Sequence, residues 1–159
     1  MQPSHEKQPQ ATMTNANRRT LLCAQHDQLR RTIQSTQVAA RDVLASQGMA
    51  GVLQAAVITL HQQLLIHLAD EERLLEPVLS TLDAWGTVRA SLLRAEHAHQ
   101  RAVLAILVGH TAWPAGPIVA RRALALCDDL LTDMDFEERE LLNDKVLRDD
   151  FILIDASDA

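Results

Sequence analysis

Apolar positions along this chain recur every three and four residues. Leu22, His26, Leu29, Ile33, Ala40 and Leu44 make one such stripe, and Val57, Leu60, Leu64, His67, Glu71, Leu74 and Val78 a second. A third runs through Ala90, Leu93, His97, Gln100, Leu104 and Leu107, and a fourth through Val119, Ala123, Leu126, Leu130, Asp133, Glu137 and Leu141. That period marks one face of an amphipathic helix. The stripes predict helices over about residues 15–46, 50–79, 83–109 and 117–147. Gly48 suits the position just past the end of the first helix. Pro77 is expected to kink the last turn of the second. The run Trp113-Pro114-Ala115-Gly116-Pro117 breaks the chain before the fourth, with Pro117 suited to a first helical turn. Helices of this length on short loops predict an all-α, up-down-up-down four-helix bundle. The expected bundle covers residues 15–148, after a disordered N-terminal tail at 1–14. A C-terminal tail at 149–159 carries the apolar run Phe151-Ile152-Leu153-Ile154 between aspartates.

Each stripe is apolar except at one level. His26 interrupts the first, His67 and Glu71 the second, His97 with Gln100 the third, and Asp133 and Glu137 the fourth. A buried carboxylate without a partner costs several kcal/mol or changes its protonation. One cause accounts for all the exceptions: they meet at one depth and share a cation. In an up-down bundle, residues at equal height lie symmetrically about the connecting loop. The midpoint between His26 and the His67–Glu71 pair falls near position 48, at Gly48. The midpoint between that pair and His97 is position 83, and that between His97 and the Asp133–Glu137 pair is position 116. All three land in turns placed on other grounds. His67 and Glu71, like Asp133 and Glu137, are four residues apart and so project from one helix face. The inventory is three imidazoles and three carboxylates. Such donors suit iron, manganese or zinc better than magnesium or calcium, and they exceed what one tetrahedral zinc needs. They fit a pair of metals bridged by carboxylates.

Composition narrows the classes. Of 159 residues, 47% are apolar and 23% charged, as in a globular protein. Five Gly, five Pro, two Phe, two Trp and no Tyr argue against many short strands joined by hairpins. A net charge of −6 argues against a nucleic-acid partner bound through a basic face. No apolar run approaches a membrane span of about 18–20 residues, so no membrane partner is expected. The start, MQPSHEKQPQ, lacks the apolar stretch of a secretory signal, and Cys23 and Cys127 form no CxxC. These features lead to the expectation of a cytoplasmic protein; homo-oligomer formation is left open.

With these residues in view, the chain resembles the hemerythrin-like (HHE cation-binding) proteins. The likeness rests on His26, His67-Leu-Ala-Asp-Glu71-Glu72, Glu96-His97 and the Asp133…Glu137-Glu138-Arg139 segment, over about residues 20–145. It implies a di-iron centre, oxo- or hydroxo-bridged, with zinc and manganese as the other metals. His26, His67, Glu71, His97 and Glu137 would be ligands, with Glu71 and Glu137 bridging. Two positions depart from the family pattern. Asp133 stands where His is usual, and Arg101 stands where oxygen carriers have a second His. Asp133 remains a candidate ligand, or an acceptor that orients a histidine or a bound water. An oxo-bridged ferric pair carries about +4, which three carboxylates reduce to roughly +1. A site so tilted toward carboxylate is expected to oxidise readily and to hold oxygen reversibly only poorly.

For the remaining residues the plain reading is preferred. Gln100 is read as inward packing, with a hydrogen bond to a metal-bound ligand as its other role. His61 and His99 are off phase, His110 lies at a helix end and His5 in the tail. Glu72 and Glu138 suit the surface, and Arg18, Arg19, Arg30 and Arg31 a solvated face. Cys23 and Cys127 suit packing. The function expected is a non-haem di-iron protein handling oxygen, peroxide, nitric oxide or iron itself, with enzymatic turnover left open. The alternatives are a metal- or redox-dependent sensor that signals to a protein partner, and a metal-free helical interaction module. Metal content separates the last from the others.

Overall fold

The computed structural model describes residues 13–109 and 116–149. Most of the expected N-terminal tail, the Trp113–Ala115 part of the breaker, His5, His110 and the Phe151–Ile154 run lie outside the described residues. Helix α1 spans Asn15–Leu44, α2 Ala50–Leu74, α3 Glu76–Leu82, α4 Gly86–Gly109 and α5 Gly116–Glu140. Around the bundle, α1 packs on α2 and α5, and α4 packs on α2 and α3. The contact between α4 and α5 is much thinner. The all-α bundle expected from the stripes is the fold observed.

Local chemistry sets the helix ends, and here several expectations change. Helix α1 starts under a Thr14 cap, whose Oγ1 accepts from Asn17 N at 3.2 Å. The Asp149 carboxylate adds to this cap, accepting from Asn15 N at 2.6 Å and Ala16 N at 3.2 Å. The far end of the described chain is thereby tied to the start of α1. At the other end of α1, the left-handed residue is Ser46, with φ 56°, not Gly48. Gly48 serves a close approach instead: a Cβ there would sit 2.7 Å from Asp42 Cβ.

The second predicted helix is broken. Pro77 has no N–H and its ring crowds the carbonyl four residues back, so α2 stops at Leu74. The chain restarts as α3 with the proline in its first turn. Helix α4 begins at Gly86 rather than 83, because Asp83 is extended and its carboxylate accepts from Trp85 N at 2.8 Å. Helix α5 ends at Glu140, short of the predicted 147. The Asn143 side chain accounts for this, its Oδ1 accepting from Lys145 N at 2.9 Å and Val146 N at 3.0 Å. By length and composition, Ala50–Leu82 is apolar enough to cross a membrane, contrary to the sequence expectation. In this fold it supplies core leucines and two of the buried polar groups.

The core is divided. One apolar cluster fills the end of the bundle near the α1–α2 turn, including Ile33, Leu53, Leu60, Leu64, Leu104, Leu126 and Leu130. A smaller cluster of Leu22, Leu75, Leu79, Leu93, Leu141, Leu142 and Leu147 fills the opposite end. Along every long helix the interrupting polar residues fall between the two. Most of the predicted stripe positions are buried; Leu44 is exposed and Val78 only half-buried, with Leu79 taking the inward place beside it.

Candidate metal centre

Between the apolar clusters lies a layer of buried polar side chains. His26, Glu71 and His97 are fully buried, and His67, Gln100 and Glu137 nearly so. Ligand-type atoms of His26, His67, Glu71 and Glu137 all lie within 4.8 Å of one another. The Nε2 atoms of His26 and His67 face each other at 3.1 Å. Glu71 is at the centre: its Oε1 is 3.8 Å from His26 Nε2, and its Oε2 lies 3.4 Å from His67 Nε2 and 3.2 Å from His97 Nε2. Glu137 Oε2 is 3.3 Å from His26 Nε2. Four helices thus bring five of the six predicted site residues into one group. The sixth, Asp133, stays at its margin, half-buried, with Oδ2 accepting from Gln100 Nε2 at 2.6 Å. Its shorter side chain reaches Gln100 on α4 rather than the central carboxylate.

The outer nitrogens of the histidines are held from behind. His97 Nδ1 is 3.1 Å from Glu72 Oε1, which also accepts from Arg101 Nη1 at 2.7 Å. His26 Nδ1 is 2.9 Å from Glu138 Oε1, which accepts from Arg30 Nη1 at 2.7 Å. His67 Nδ1 is 3.0 Å from Gln25 Oε1, and Gln25 Nε2 donates to Asp70 Oδ2 at 2.7 Å. Each imidazole therefore presents Nε2 inward, as a metal-binding histidine oriented by an outer acceptor does. The sequence reading left Glu72, Glu138 and Arg30 on the solvated surface. A signal was present: His is followed four residues later by Arg at 26/30 and at 97/101, and Glu-Glu pairs stand at 71/72 and 137/138.

Burial works against charge throughout the layer, and neighbours decide each outcome. Burial lowers the His26 pKa, but Glu137 and Glu71 outweigh it and push the imidazole up to about 10. Burial wins at His67, taking it down to about 4. At Glu71 burial favours the neutral acid, yet His26 and His97 hold the carboxylate ionised, down to about 2. At Glu137 burial and then the charge of Glu71 push the carboxyl up to about 8. Asp133 is raised by burial, against the hydrogen bond from Gln100. His97 is raised because Glu71 and Glu72 overcome its burial. The two central carboxylates thus share one negative charge, and protons on His26 and Glu137 substitute for a cation.

The donor set fits a metal. Both oxygens of Glu71, His97 Nε2 and Gln100 Oε1 are buried with no hydrogen-bond partner. Groups of this kind are normally satisfied, and a cation among them removes the deficit. A cavity of about 10 Å³ adjoins Glu71 and Gln100, lined by apolar Leu29, Ile33, Leu64, Leu68, Leu130 and Met134 and by polar His67, Glu71, Gln100, Asp133 and Glu137. It has room for about one water-sized molecule. From outside, a groove of about 680 Å³ between α4 and α5 runs past Leu93, Glu96 and Phe136 to Asp133 and Glu137. Of the other residues weighed on sequence, His99 is exposed and His61 half-buried. Cys127 is fully buried, its thiol pushed up to about 12 by burial, and Cys23 is half-buried beside the smaller cluster.

Fold and site together define an all-α bundle with a buried His/Glu cluster that could hold a metal. The model of the hemerythrin HHE cation binding domain matches residues 19–144, and the chain belongs to that family. No curated protein and no solved structure matches it.

Proposed function

We propose that this protein is a non-haem di-iron protein that handles a small ligand: oxygen, peroxide, nitric oxide or iron itself. The observation that carries the reading is Glu71, a fully buried carboxylate whose two oxygens have no hydrogen-bond donor and face the Nε2 atoms of three histidines. Such a group is expensive to bury unless a cation joins it. His26, His67, Glu71, His97 and Glu137 are the residues that would hold the metals, with Glu71 and Glu137 the carboxylates that would be shared between them. When bound, iron supplies the redox equivalents and the open positions for a small ligand. The protein does the rest. The outer acceptors Glu72, Glu138 and Gln25 fix the imidazoles, the leucine wall keeps bulk water out, and the small cavity admits a ligand of a few atoms at most. The thin α4–α5 contact gives that ligand an approach, ending at Asp133 and Glu137.

Metal analysis of protein purified without chelators, with an anaerobic absorption spectrum before and after exposure to air, tests the reading. Stoichiometric iron and a rise in melting temperature on adding ferrous salt are expected. Protein that contains no stoichiometric transition metal and gains no thermal stability from iron overturns it.

A further inference from the structure

Helix α2 is apolar on two faces. Its inner stripe, with Leu53, Val57, Leu60 and Leu64, is buried in the core. A second stripe on the outer side runs through Gly51, Ala55, Ile58, Gln62, Leu65 and Ala69, and each of these is exposed. Ile58 and Leu65 leave 38% and 37% of their surface open, and Val52 and Ile66 beside them 53% and 63%. No Asp, Glu, Lys or Arg stands between Ala50 and Ala69. A helix whose outer side meets only water carries charge there. Next to this stripe α4 exposes Ala98, Ala102 and Ala105, in the row around Arg101, which reaches α2 through Glu72. Residues 51–69 span about 27 Å and two helices abreast about 20–24 Å, so the face is on the order of 600 Å². A specific interface takes about 600–800 Å² from each partner.

We propose that this outer face of α2, with the adjoining edge of α4, binds a second copy of the chain, the two α2 helices packing antiparallel about a two-fold axis level with Leu60. The stripe is self-complementary. Its spacing is symmetric about Leu60, so an antiparallel copy sets Gly51 of one chain against Ala69 of the other, Ala55 against Leu65 and Ile58 against Gln62. Small side chains meet larger ones, and Val52 of one copy lies beside Ile66 of the other. Within one chain nothing asks for glycine at 51: a Cβ there would meet no atom within 4 Å. Glycine weakens a helix, and a close helix from a second copy gives it a use. Charge points the same way. Two chains of net charge −6 repel each other, and this face brings them together without adding like charges. A lipid surface fits less well, because helices that lie on membranes flank their apolar face with Lys and Arg. Here Asp70, Glu72 and Arg73 follow the stripe. The groove to Asp133 and Glu137, between α4 and α5, stays open in such a dimer.

Analytical ultracentrifugation of the full chain as purified, over a range of concentrations, tests this. The mass is expected to rise from one chain to two. Ala55→Glu and Leu65→Lys each bury an unpaired charge in the interface, so each should weaken dimerisation by at least about thirtyfold. Both positions are exposed, so helicity and metal content should match wild type. Mixing the two variants should restore a dimer. The introduced charges, opposite in sign, then face each other across the axis, while the other Ala55–Leu65 contact stays as in wild type. A wild-type chain that is monomeric at every concentration overturns the inference, and so does a dimer indifferent to both variants. Dissociation without recovery on mixing overturns it as well, by removing the antiparallel pairing. Adsorption of a monomeric wild type to phosphatidylcholine vesicles overturns it in favour of a lipid surface.

Discussion

Glu72 holds the outer nitrogen of His97 at 3.1 Å and is itself gripped by Arg101, one turn along α4 from that histidine. The same device recurs on the opposite side of the bundle, with His26, Glu138 and Arg30. In both, one Glu of a Glu-Glu pair turns inward and its neighbour reaches to the histidine of the adjacent helix. Arg101 therefore has a structural role of its own, holding the carboxylate that orients His97.

From this pairing comes the first prediction. Removing the outer acceptor frees the imidazole to rotate and removes a charge that keeps the ring basic. Glu138→Ala and Glu72→Ala should each lower metal affinity by about ten- to a hundredfold. Both acceptors are half-buried, so the fold should persist. Iron retained against a chelator series, with helicity followed by circular dichroism, separates the two effects. Wild-type retention in both variants would show that the outer carboxylates leave the metals untouched.

A second prediction concerns Glu71, which faces all three histidines. Glu71→Ala should abolish stoichiometric metal binding, whereas substitution at the margin, as in Asp133→Ala, should spare part of it. Glu71→Ala also leaves the buried imidazolium of His26 without its central counter-charge. The metal-free variant should therefore melt below metal-free wild type. Calorimetry of the two metal-free proteins, beside metal analysis, checks both halves.

The pH dependence of stability should reverse when metal binds. In the metal-free protein His26 keeps its proton up to about 10 and Glu137 up to about 8. The unfolded chain releases these protons near 6.5 and 4.5. The native state thus binds more protons than the unfolded one across neutral and mildly alkaline pH. Stability from these two groups is complete below their unfolded values and is lost as pH rises through the folded ones. A metal competes with the same protons, so its affinity rises with pH. Below neutrality the slope of the metal-free protein turns over. His67 is held neutral down to about 4 and Glu71 ionised down to about 2, so their contributions fall away in acid. Melting temperatures between pH 6 and 9 should decline without metal and rise or stay level with it. Parallel profiles would mean that no proton is exchanged for metal.

The fold was legible because burial follows the stripes closely, and because the polar exceptions reflect onto one another through turns that glycine and proline mark. Helix ends were less legible because single side chains set them. Asn143 ends α5 through its side-chain amide oxygen, and Pro77 acts on the carbonyl four residues before it, so the break precedes the proline. Within the site, phase alone separates Glu71 from Glu72 and Glu137 from Glu138. It does not show what an outward carboxylate touches on the next helix, and Glu72, Glu138 and Arg30 were read as solvent-facing for that reason. Side-chain length was the other hidden variable. Asp133 has the right phase for the layer, yet it ends on Gln100 at the margin.

The α1–α2 turn yields a prediction about stability alone. Ser46 is the non-glycine residue with positive φ among those described, at 56°. Its Cβ crowds the following carbonyl in that conformation, at a cost of about 1–2 kcal/mol, part of which glycine gives back as unfolded-chain entropy. Ser46→Gly should therefore stabilise the protein by about 0.5–1 kcal/mol. Gly48, two residues on, has no such conformation, but a Cβ there would meet Asp42 Cβ at 2.7 Å and the backbone of Val43 at 3.1 Å. Gly48→Ala should cost about 1–3 kcal/mol, as overpacking does. Denaturant midpoints of the two variants are expected on opposite sides of wild type, with metal content unchanged in both because the turn is remote from the polar layer. Destabilisation by Ser46→Gly would mean that the serine side chain holds the turn, and the strain argument would fail.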